Sequence, residues 1–355
     1  MVQALFDKIS SFENLIKASN LAKRGNRQKS YGLEFEFNLE QELGRLVWEL
    51  KTGYYQPNAY HHFVAFYPKM RAIAAPAFRD RVVQQSLVME IEPIFDRIFI
   101  YDSYACRKHK GTHLGAKRAK KFLQAAHTLY PQQDVYALQS DIKSFFASMS
   151  WPILQKLMAK KITDPKALNL IIKFITQHLV SSTSTQSRAA IEKVINIKQQ
   201  RGLPIGNLTS QLFANVYLNQ LDHFVKEELK QRWYARYMDD FLIINPSKNE
   251  LHKLKNKIAV FLEKNLKLKL HPKKTVIYPV KNGVPFVGYR IFHDHVLIRG
   301  NSLIRMQRRL KKRRQQLARE EINQTEFQQS VSSFQGHLKH ADTYWLQKCL
   351  FGEPE

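Results

Sequence analysis

Apolar residues recur at helical spacing near the start of the chain, as in Leu5, Ile9 and Phe12, and this spacing predicts two helices before residue 51. Residues 60–76 change to alternating apolar and polar side chains, which predicts two strands joined by a turn. Helical spacing then returns and predicts a long helix that ends near Phe95. The first hundred residues are therefore predicted to combine a helical region, a hairpin and a long helix.

The same two spacings organise the rest of the chain. Strands are predicted at 135–141, 233–235, 241–244, 268–279 and 284–292. Helices are predicted at 152–161, 165–179, from 207 to 221, at 251–266 and at 299–319. Residues 181–200 are rich in Ser, Thr and Gln, and this composition predicts a mobile connection.

Two adjacent acidic residues, Asp239 and Asp240, lie between a pair of short apolar strands. Successive side chains of a regular strand point to opposite faces, so both carboxylates can serve one site only if a turn bends the backbone beneath them. A third carboxylate, Asp141, ends the strand predicted at 135–141. Divalent cations prefer such oxygen ligands, and a pair of cations can catalyse phosphoryl transfer. The alternative is that all three acids only stabilise or solvate turns.

The charge of the chain points to an anionic partner. Among the 355 residues, Lys and Arg number 56 and Asp and Glu number 30, which gives a formal net charge of +26. A surplus of this size repels itself unless it is screened. Nucleic acid is the partner we expect, because phosphate contacts supply most of its nonspecific affinity for proteins.

Two cationic segments are candidates for contacts with a nucleic-acid backbone. One is the loop at 104–113, and the other is the predicted helix 299–319, which carries nine Lys or Arg and no acidic residue. The candidate residues are Arg107, Lys108, Lys110, Arg308, Arg309, Lys312 and Arg313. A basic helix can also lie on an anionic membrane, but the aromatic anchors expected there are missing.

The cysteine and histidine patterns indicate neither a disulfide framework nor a zinc site. Cys106 and Cys349 are the two cysteines, and the 13 histidines show no ligand spacing typical of zinc. No signal peptide is recognisable at the N-terminus. No stretch approaches the roughly 20 apolar residues that span a bilayer. The sequence therefore predicts a cytoplasmic protein that does not associate with a membrane.

The order and identity of these segments closely resemble a reverse transcriptase over residues from about 60 to about 340. The Tyr-Met-Asp-Asp motif at 237–240, preceded by Asp141 on a strand, resembles the palm of that family. Residues 68–71 with 78–81 resemble the fingers, and 286–289 resemble the primer grip. Each piece alone is a weak signal, whereas their joint occurrence in this order is specific.

The resemblance implies an α+β protein with the right-hand polymerase fold, which consists of fingers, a palm with a small antiparallel sheet and helices, and a short helical thumb. The implied boundaries are 1–58 for an N-terminal helical extension, 59–134 for the fingers, 135–292 for the palm and 293–355 for the basic helical thumb. Within the palm, 181–200 is a polar insert and 284–292 holds the primer-grip strands.

The implied activity is RNA-directed DNA synthesis from deoxynucleoside triphosphates. In the resemblance, Asp141, Asp239 and Asp240 hold two Mg²⁺ ions, which Mn²⁺ can replace. Lys274 fits the cation near the leaving pyrophosphate and is the candidate general acid, with Lys273 as the competing assignment. The implied partners are template RNA, the RNA/DNA heteroduplex and deoxynucleoside triphosphates.

The resemblance also assigns residues to the incoming nucleotide and to the primer. Lys69 and Arg71 would meet the triphosphate, and Gln211 would lie near the nucleotide. Phe146 lies where the family has an aromatic steric gate against the ribose 2′-OH, although one of Phe145 and Phe146 is expected to be core. The primer-grip residues are Phe286, Gly288 and Tyr289.

One stretch resembles a particular branch of the family. Ile205-Gly206 and Ser210-Gln211 stand where intron and retroviral enzymes have Gln-Gly and Ser-Pro, and this version is similar to the enzymes of diversity-generating retroelements. That branch copies a template-repeat RNA with errors at adenines and works with a small basic accessory protein. We hypothesise that Ile205, which offers no hydrogen bond, loosens nucleotide discrimination; packing is the competing explanation.

Other functions remain open at the level of sequence. The chain could be another bacterial reverse transcriptase, from a retron, a defence system or a group II intron. It could also be a non-catalytic RNA-binding protein that retained the palm, although the presence of all three carboxylates argues against this. We expect no RNase H, endonuclease or maturase domain in 355 residues.

Overall fold

The computed structural model describes residues 4–24, 30–66, 70–177 and 199–351. The chain divides into two compact units. The first unit comprises Met1–Tyr101, Ile142–Phe224 and Ala259–Leu270, and the second comprises Asp102–Asp141, Val225–Ile258 and His271–Glu355. Both units are therefore assembled from segments that are distant in sequence.

The described residues form fourteen α-helices and nine strands. The helices are α1 (Leu5–Ile9), α2 (Phe12–Ala22), α3 (Ser30–Phe37), α4 (Leu39–Thr52), α5 (Phe78–Asp96), α6 (Thr112–Leu129), α7 (Phe145–Ser148), α8 (Trp151–Ala159), α9 (Pro165–Thr176), α10 (Leu208–His223), α11 (Lys248–Phe261), α12 (Gly300–Ala318), α13 (Gln324–Leu338) and α14 (Tyr344–Phe351). The strands are β1 (His61–Ala65), β2 (Arg71–Ala75), β3 (Tyr136–Asp141), β4 (Tyr234–Tyr237), β5 (Asp240–Asn245), β6 (Val276–Pro279), β7 (Val284–Phe286), β8 (Tyr289–Ile291) and β9 (Val296–Ile298).

The first unit is mainly helical and is built around α5. This helix is buried on most of its surface and packs against α1, α2 and α10. Local sequence defines the neighbouring helices. For example, the Asp164 side chain accepts hydrogen bonds from the first backbone N–H groups of α9, and Pro165 follows as the first helical residue. The two helices predicted before residue 51 are observed as four, α1 to α4.

The hairpin predicted at 60–76 is also present in the first unit. Strands β1 and β2 are antiparallel, with Ala65 opposite Arg71. The tip of this hairpin, including Lys69, lies outside the described residues. Most of the predicted polar insert 181–200 also lies outside them.

The second unit contains a four-stranded antiparallel sheet in the order β4-β5-β3-β6. Its inner strand β5 has a continuous apolar run, Phe241–Ile244, that is buried, as expected of a strand covered on both faces. Helix α6 packs on β4 and β5 and contributes Phe122 and Leu123 to their core. This sheet ends in the acidic residues that the sequence singles out.

A second sheet and three helices complete this unit. Strands β7, β8 and β9 form an antiparallel sheet. The basic helix predicted at 299–319 is confirmed as α12, which packs against α13 through a small cluster of Leu310, Val331 and Phe334. Among the described residues, no helix is both long and apolar enough to cross a membrane.

Two strand predictions are wrong in extent. The strand predicted at 268–279 is reduced to β6, because 272–274 form a turn before it. The strand predicted at 284–292 is divided into β7 and β8 by a turn in which Val287 and Gly288 have φ of 45° and 94°. A two-residue hairpin turn favours glycine because it requires a positive φ, and Gly288 meets that requirement within the apolar run.

Candidate active site

The acidic residues meet at one end of the four-stranded sheet. Strand β3 pairs with β5 in antiparallel register, and this register places Asp141 directly opposite Asp240. Residues that are directly opposite in an antiparallel pair have side chains on the same face within reach of each other. The two carboxylates, which are about a hundred residues apart in the sequence, therefore share one site.

The third carboxylate belongs to the tight turn between β4 and β5. Tyr237 pairs with Asp240, so Met238 and Asp239 form a two-residue hairpin turn. Met238 has φ of 54°, a left-handed conformation that L-residues rarely adopt. This turn supplies the backbone bend that two adjacent carboxylates need in order to serve one site.

The electrostatics of Asp240 show that the three carboxylates interact. Burial raises the pKa of the Asp240 carboxyl, and the carboxylates of Asp141 and Asp239 raise it further, to about 7. A hydrogen bond from Gln139 and the positive charge of Arg299 act in the opposite direction. The site therefore concentrates negative charge that a cation would stabilise.

A lysine contacts the site from the turn that precedes β6. The Lys274 ammonium lies 2.7 Å from Oδ2 of Asp141. Its turn is fixed to the end of β3, because the backbone N–H of His271 donates to the Asp141 carbonyl at 2.7 Å. The buried hydroxyls of Ser140 and Thr275 also meet at 2.9 Å. Of the two adjacent lysines considered from sequence, Lys274 is the one that the structure places at Asp141.

The metal site predicted from the sequence involves all three carboxylates. Within the described part of the chain, no group of three or more His, Cys, Asp or Glu side chains is placed to hold a metal ion by itself. Mg²⁺ does not require one, since it is usually held by one or two carboxylates together with water and substrate phosphates. Burial and the two neighbouring carboxylates raise the pKa of Asp240, and a bound cation would favour its charged form.

Three residues near Asp240 are absent from the sequence-based prediction. Gln139 donates a hydrogen bond to Asp240, and the Tyr278 hydroxyl donates to Oε1 of Gln139 at 3.3 Å. Burial raises the pKa of Tyr278, and the negative charge of Asp240 raises it further. Gln139 had a detectable signal, because it lies two residues before Asp141 on one strand and therefore on the same face. Tyr278 and Arg299 gave no comparable signal.

The residues assigned to the nucleotide belong to the first unit. Ile205 is half-buried, and its carbonyl accepts a hydrogen bond from the backbone N–H of Ala74 in β2 at 2.9 Å. Gly206 follows with φ of 125°, and a Cβ there would lie 2.8 Å from the Ala74 carbonyl oxygen. The loop thus requires glycine at 206. Arg71 and Gln211 are both exposed.

The two phenylalanines after β3 have different environments. Phe145 is buried, whereas Phe146 is partly exposed and packs edge-on against it with ring centroids 5.5 Å apart. Ser144, which precedes them, has φ of 48°. Phe145 is therefore the core residue of the pair, and Phe146 has the exposure that a steric gate needs.

The remaining candidates are divided between core and surface. Phe286 and Tyr289 of the primer-grip segment are buried in the second unit, and Gly288 lies in the turn between them. In the loop at 104–113, Lys108 is exposed, whereas Arg107 and Lys110 are partly buried. On α12, the candidates Arg308, Arg309 and Lys312 are exposed, and Arg313 is partly buried.

An antiparallel sheet with paired acids at its end and a basic helical region after it defines a polymerase of the right-hand class. The family model for reverse transcriptase (RNA-dependent DNA polymerase) matches residues 65–291, more than half of the chain. The chain belongs to the reverse transcriptase family. It is thus a nucleotidyltransferase of the RNA-directed DNA polymerase class, and domains of this class generally use divalent metal ions.

Several known proteins are similar to the chain. Protein YkfC of Escherichia coli strain K12 is 26% identical over 332 residues, which cover 82% of this chain and 83% of that protein. The group II intron-encoded protein LtrA of Lactococcus lactis is 23% identical over 340 residues, which cover 77% of this chain and 53% of LtrA. The chain thus spans about half the length of LtrA.

The solved structures that are similar to part of the chain are more distant in sequence. A telomerase from Candida albicans, solved with a fragment of telomeric RNA, is 14% identical, with a TM-score of 0.46 over 69% of this chain and 46% of the telomerase. A Cas6-RT-Cas1–Cas2 complex contains a chain that is 19% identical, with a TM-score of 0.40 over 74% of this chain.

Proposed function

We propose that this protein copies RNA into DNA at the site formed by Asp141, Asp239 and Asp240, which hold two Mg²⁺ ions. The observation that carries the proposal is the pairing of Asp141 with Asp240 across β3 and β5, together with the raised pKa of Asp240. The bound cations would supply activation of the primer 3′-oxygen and stabilisation of the leaving oxygen.

The chain's own residues supply the rest of the reaction. The primer 3′-oxygen attacks the α-phosphate of a deoxynucleoside triphosphate, and pyrophosphate leaves. Lys274, at Asp141, is our candidate for the proton donor to the leaving pyrophosphate. Lys69 and Arg71 would hold the triphosphate oxygens, since cations of this kind pair strongly with phosphate. Phe146 would exclude a ribose 2′-OH.

Nucleic-acid binding would use the cationic surface of the second unit. Arg308, Arg309 and Lys312 are exposed along α12, and such residues bind the phosphates of an RNA/DNA heteroduplex irrespective of sequence. The turn at Val287–Gly288 is our candidate for the contact with the primer. The buried neighbours Phe286 and Tyr289 would fix this turn in place.

Primer extension on an RNA template tests the activity directly. Purified protein, a 5′-labelled DNA primer annealed to RNA and the four deoxynucleoside triphosphates should give extended DNA when Mg²⁺ is added. Ribonucleoside triphosphates should be incorporated far less efficiently than deoxynucleoside triphosphates. Phe146→Ala should reduce this preference for deoxynucleoside triphosphates. An absence of extension on every primed RNA, with heteroduplex binding intact, would favour a non-catalytic RNA-binding protein instead.

Within the family, we propose a diversity-generating retroelement enzyme that copies a template-repeat RNA with errors at adenines. The support is the stretch 205–211, where Ile205 stands in place of the glutamine of intron and retroviral enzymes. An aliphatic side chain offers shape and dispersion but no hydrogen bond to an incoming nucleotide. A small basic accessory protein would be the partner of such an enzyme.

Sequencing of the cDNA tests this branch assignment. The wild-type protein should misincorporate mainly opposite template adenines, and Ile205→Gln should reduce those errors while errors at other bases stay constant. Thr209→Ser, a conservative change in the first turn of α10, is the control. Uniform errors in the wild type, or unchanged adenine errors in Ile205→Gln, would contradict the proposed role of Ile205.

A second candidate is a reverse transcriptase derived from a group II intron. The similarity to the intron-encoded protein LtrA over 77% of the chain favours it. A retron or defence-system enzyme belongs to the same alternative. Accurate cDNA synthesis that does not depend on any accessory protein would favour this candidate over the retroelement enzyme.

A further inference from the structure

Arg236, the residue before the Tyr-Met-Asp-Asp motif, is completely buried in the second unit. A guanidinium is always charged, and its removal from water is costly unless hydrogen bonds replace the lost water. We therefore expect a buried arginine to have a role that an apolar residue of similar size could not fill. Its neighbours show what it does there.

The guanidinium connects the catalytic turn to a neighbouring segment. Its Nη1 donates to the carbonyl oxygen of Met238 at 3.0 Å, and its Nη2 donates to Oγ of Ser103 at 3.1 Å. The backbone of Arg236 pairs with the same segment: its N–H donates to the Asp102 carbonyl, and its carbonyl accepts from the Tyr104 N–H, each at 2.9 Å. Ser103 is thus held beside β4.

The contact with Met238 acts on an unfavourable part of the backbone. Met238 has a positive φ, and the first position of such a two-residue hairpin turn is usually Gly, Asn or Asp. A methionine there gives the turn little intrinsic preference. The Met238 carbonyl and the Asp239 N–H belong to one planar peptide unit. A hydrogen bond to that carbonyl therefore fixes the orientation of the peptide that leads into Asp239.

The segment that carries Ser103 is itself anchored. The buried carboxylate of Asp102 accepts from Nε of Arg118 at 2.8 Å, from the Tyr104 hydroxyl at 3.0 Å and from the Lys226 ammonium at 3.3 Å. The Arg118 contact comes from α6, and the Lys226 contact comes from the short helical segment Phe224–Glu228 that follows α10. The Arg236 guanidinium is therefore clamped between a fixed support and the catalytic turn.

We propose that Arg236 is a positioning residue for the polymerase reaction and that it aims the Asp239 carboxylate by holding the Met238–Asp239 peptide against Ser103. The inference rests on the proposed role of Asp239 as a metal ligand. It predicts that loss of the guanidinium impairs metal use and turnover more than nucleotide or heteroduplex binding.

The test compares Arg236→Met and Arg236→Lys with the wild type. Methionine removes the charge at similar volume, and lysine keeps the charge but cannot reach two acceptors with one planar group. Partners that orient metal ligands typically affect activity by about 10-fold to 100-fold, so kcat should fall and the half-saturating Mg²⁺ concentration should rise within that range. The KM for deoxynucleoside triphosphates should change by less than about threefold.

Two further variants separate positioning from folding. Ser103→Ala removes one acceptor and leaves the arginine, so it should raise the half-saturating Mg²⁺ concentration by a smaller factor. In the Arg236→Met background the same Ser103→Ala change should add nothing, because its partner is already lost. Arg232→Met, a change at an exposed arginine four residues earlier, is the control and should leave all parameters at wild-type values.

The outcomes distinguish this inference from the proposed function. If Arg236→Met is folded and has wild-type kcat and Mg²⁺ dependence, the positioning role is wrong. If Arg236→Met does not fold, Ser103→Ala decides, and a purely structural role predicts a lower melting temperature with unchanged Mg²⁺ dependence. An active Asp239→Asn protein would overturn the role of Asp239, and this inference with it.

Discussion

The acidic residues and the lysine beside them differ in how far sequence alone defines them. Asp239 and Asp240 are recognisable from sequence because two charged residues between apolar strands are costly to bury. Lys273 and Lys274 are adjacent in a turn, where the periodicity of strands and helices cannot predict the direction of a side chain. Only the fold shows that the turn is tied to the end of β3 and that Lys274 faces Asp141.

The two lysines give a matched pair of variants. Lys274→Ala should lower kcat by about 100-fold to 10,000-fold, the range typical of a lost general acid, with a KM for deoxynucleoside triphosphates close to that of the wild type. Lys273→Ala removes the same charge one residue away and should stay within about threefold of wild-type kcat. Steady-state primer extension over a range of deoxynucleoside triphosphate concentrations provides kcat and KM for each variant. A larger effect of Lys273→Ala would reverse the assignment.

At the scale of elements, the helices and most strands follow from hydrophobic spacing, while the contacts between elements do not. The β7–β8 hairpin was predicted as one strand, because Phe286 and Tyr289 are both apolar and only Gly288 marks the turn. The pairing of β3 with β5 could be inferred only from the family resemblance. Likewise, no pattern in the sequence brings α6 into contact with α13.

That contact is made by Tyr289 with His113 and His337, and His340, which follows α13, packs on His113. The Tyr289 hydroxyl lies 2.9 Å from Nδ1 of His113 on α6 and 3.1 Å from Nδ1 of His337 on α13. The His113 ring stacks on His340 with centroids 3.6 Å apart. Burial lowers the pKa of His113 and of His337, and the neighbouring imidazoles lower it further. The cluster is therefore more stable when His113 and His337 are neutral.

This cluster predicts how stability depends on pH. An imidazole whose pKa is lower in the folded chain binds protons more readily in the unfolded chain. Its contribution to the free energy of unfolding is therefore present above about pH 6.5 and is lost as the pH falls. The urea midpoint should decrease between about pH 8 and about pH 5.5. His337→Gln should reduce that decrease, and His252→Gln, at an exposed position on α11, should not. Equal pH dependence in both variants would contradict a role for the cluster.

At the scale of the whole molecule, composition alone predicts the kind of partner. A formal net charge of +26 requires an anionic partner or counterions, and the family places RNA and DNA in that role. Composition does not show where the charge lies. The structure shows that the cations of α12 are mostly exposed, whereas Arg118 on α6 is paired with Asp102.

The salt dependence of heteroduplex binding tests this surface. The logarithm of the association constant should fall linearly with the logarithm of salt concentration, by about 0.9 for each phosphate contact in a duplex. Neutralising four cations of α12 to glutamine should therefore reduce the slope by up to about 3.5. These residues are Arg308, Arg309, Lys312 and Arg313.

The control for this variant removes the same charge from another helix. It replaces four lysines of α11, most of them exposed, by glutamine, and its slope should stay close to that of the wild type. These residues are Lys248, Lys253, Lys255 and Lys257. An equal loss of slope in the two variants would mean that net charge, rather than the surface of α12, determines binding.

The central claim is that carboxylates distant in sequence form one polymerase site, and Asp239→Asn tests it most directly. Loss of a residue that hydrogen-bonds to a metal ligand typically reduces activity by about 10-fold to 100-fold. Loss of the ligand itself should therefore reduce the rate of single-turnover primer extension on RNA by more than that range. The affinity for the heteroduplex should stay within about twofold of the wild type. Asp134→Asn, at an exposed acid that pairs with Lys281, should extend the primer at the wild-type rate. Wild-type extension by the Asp239→Asn protein would contradict the account.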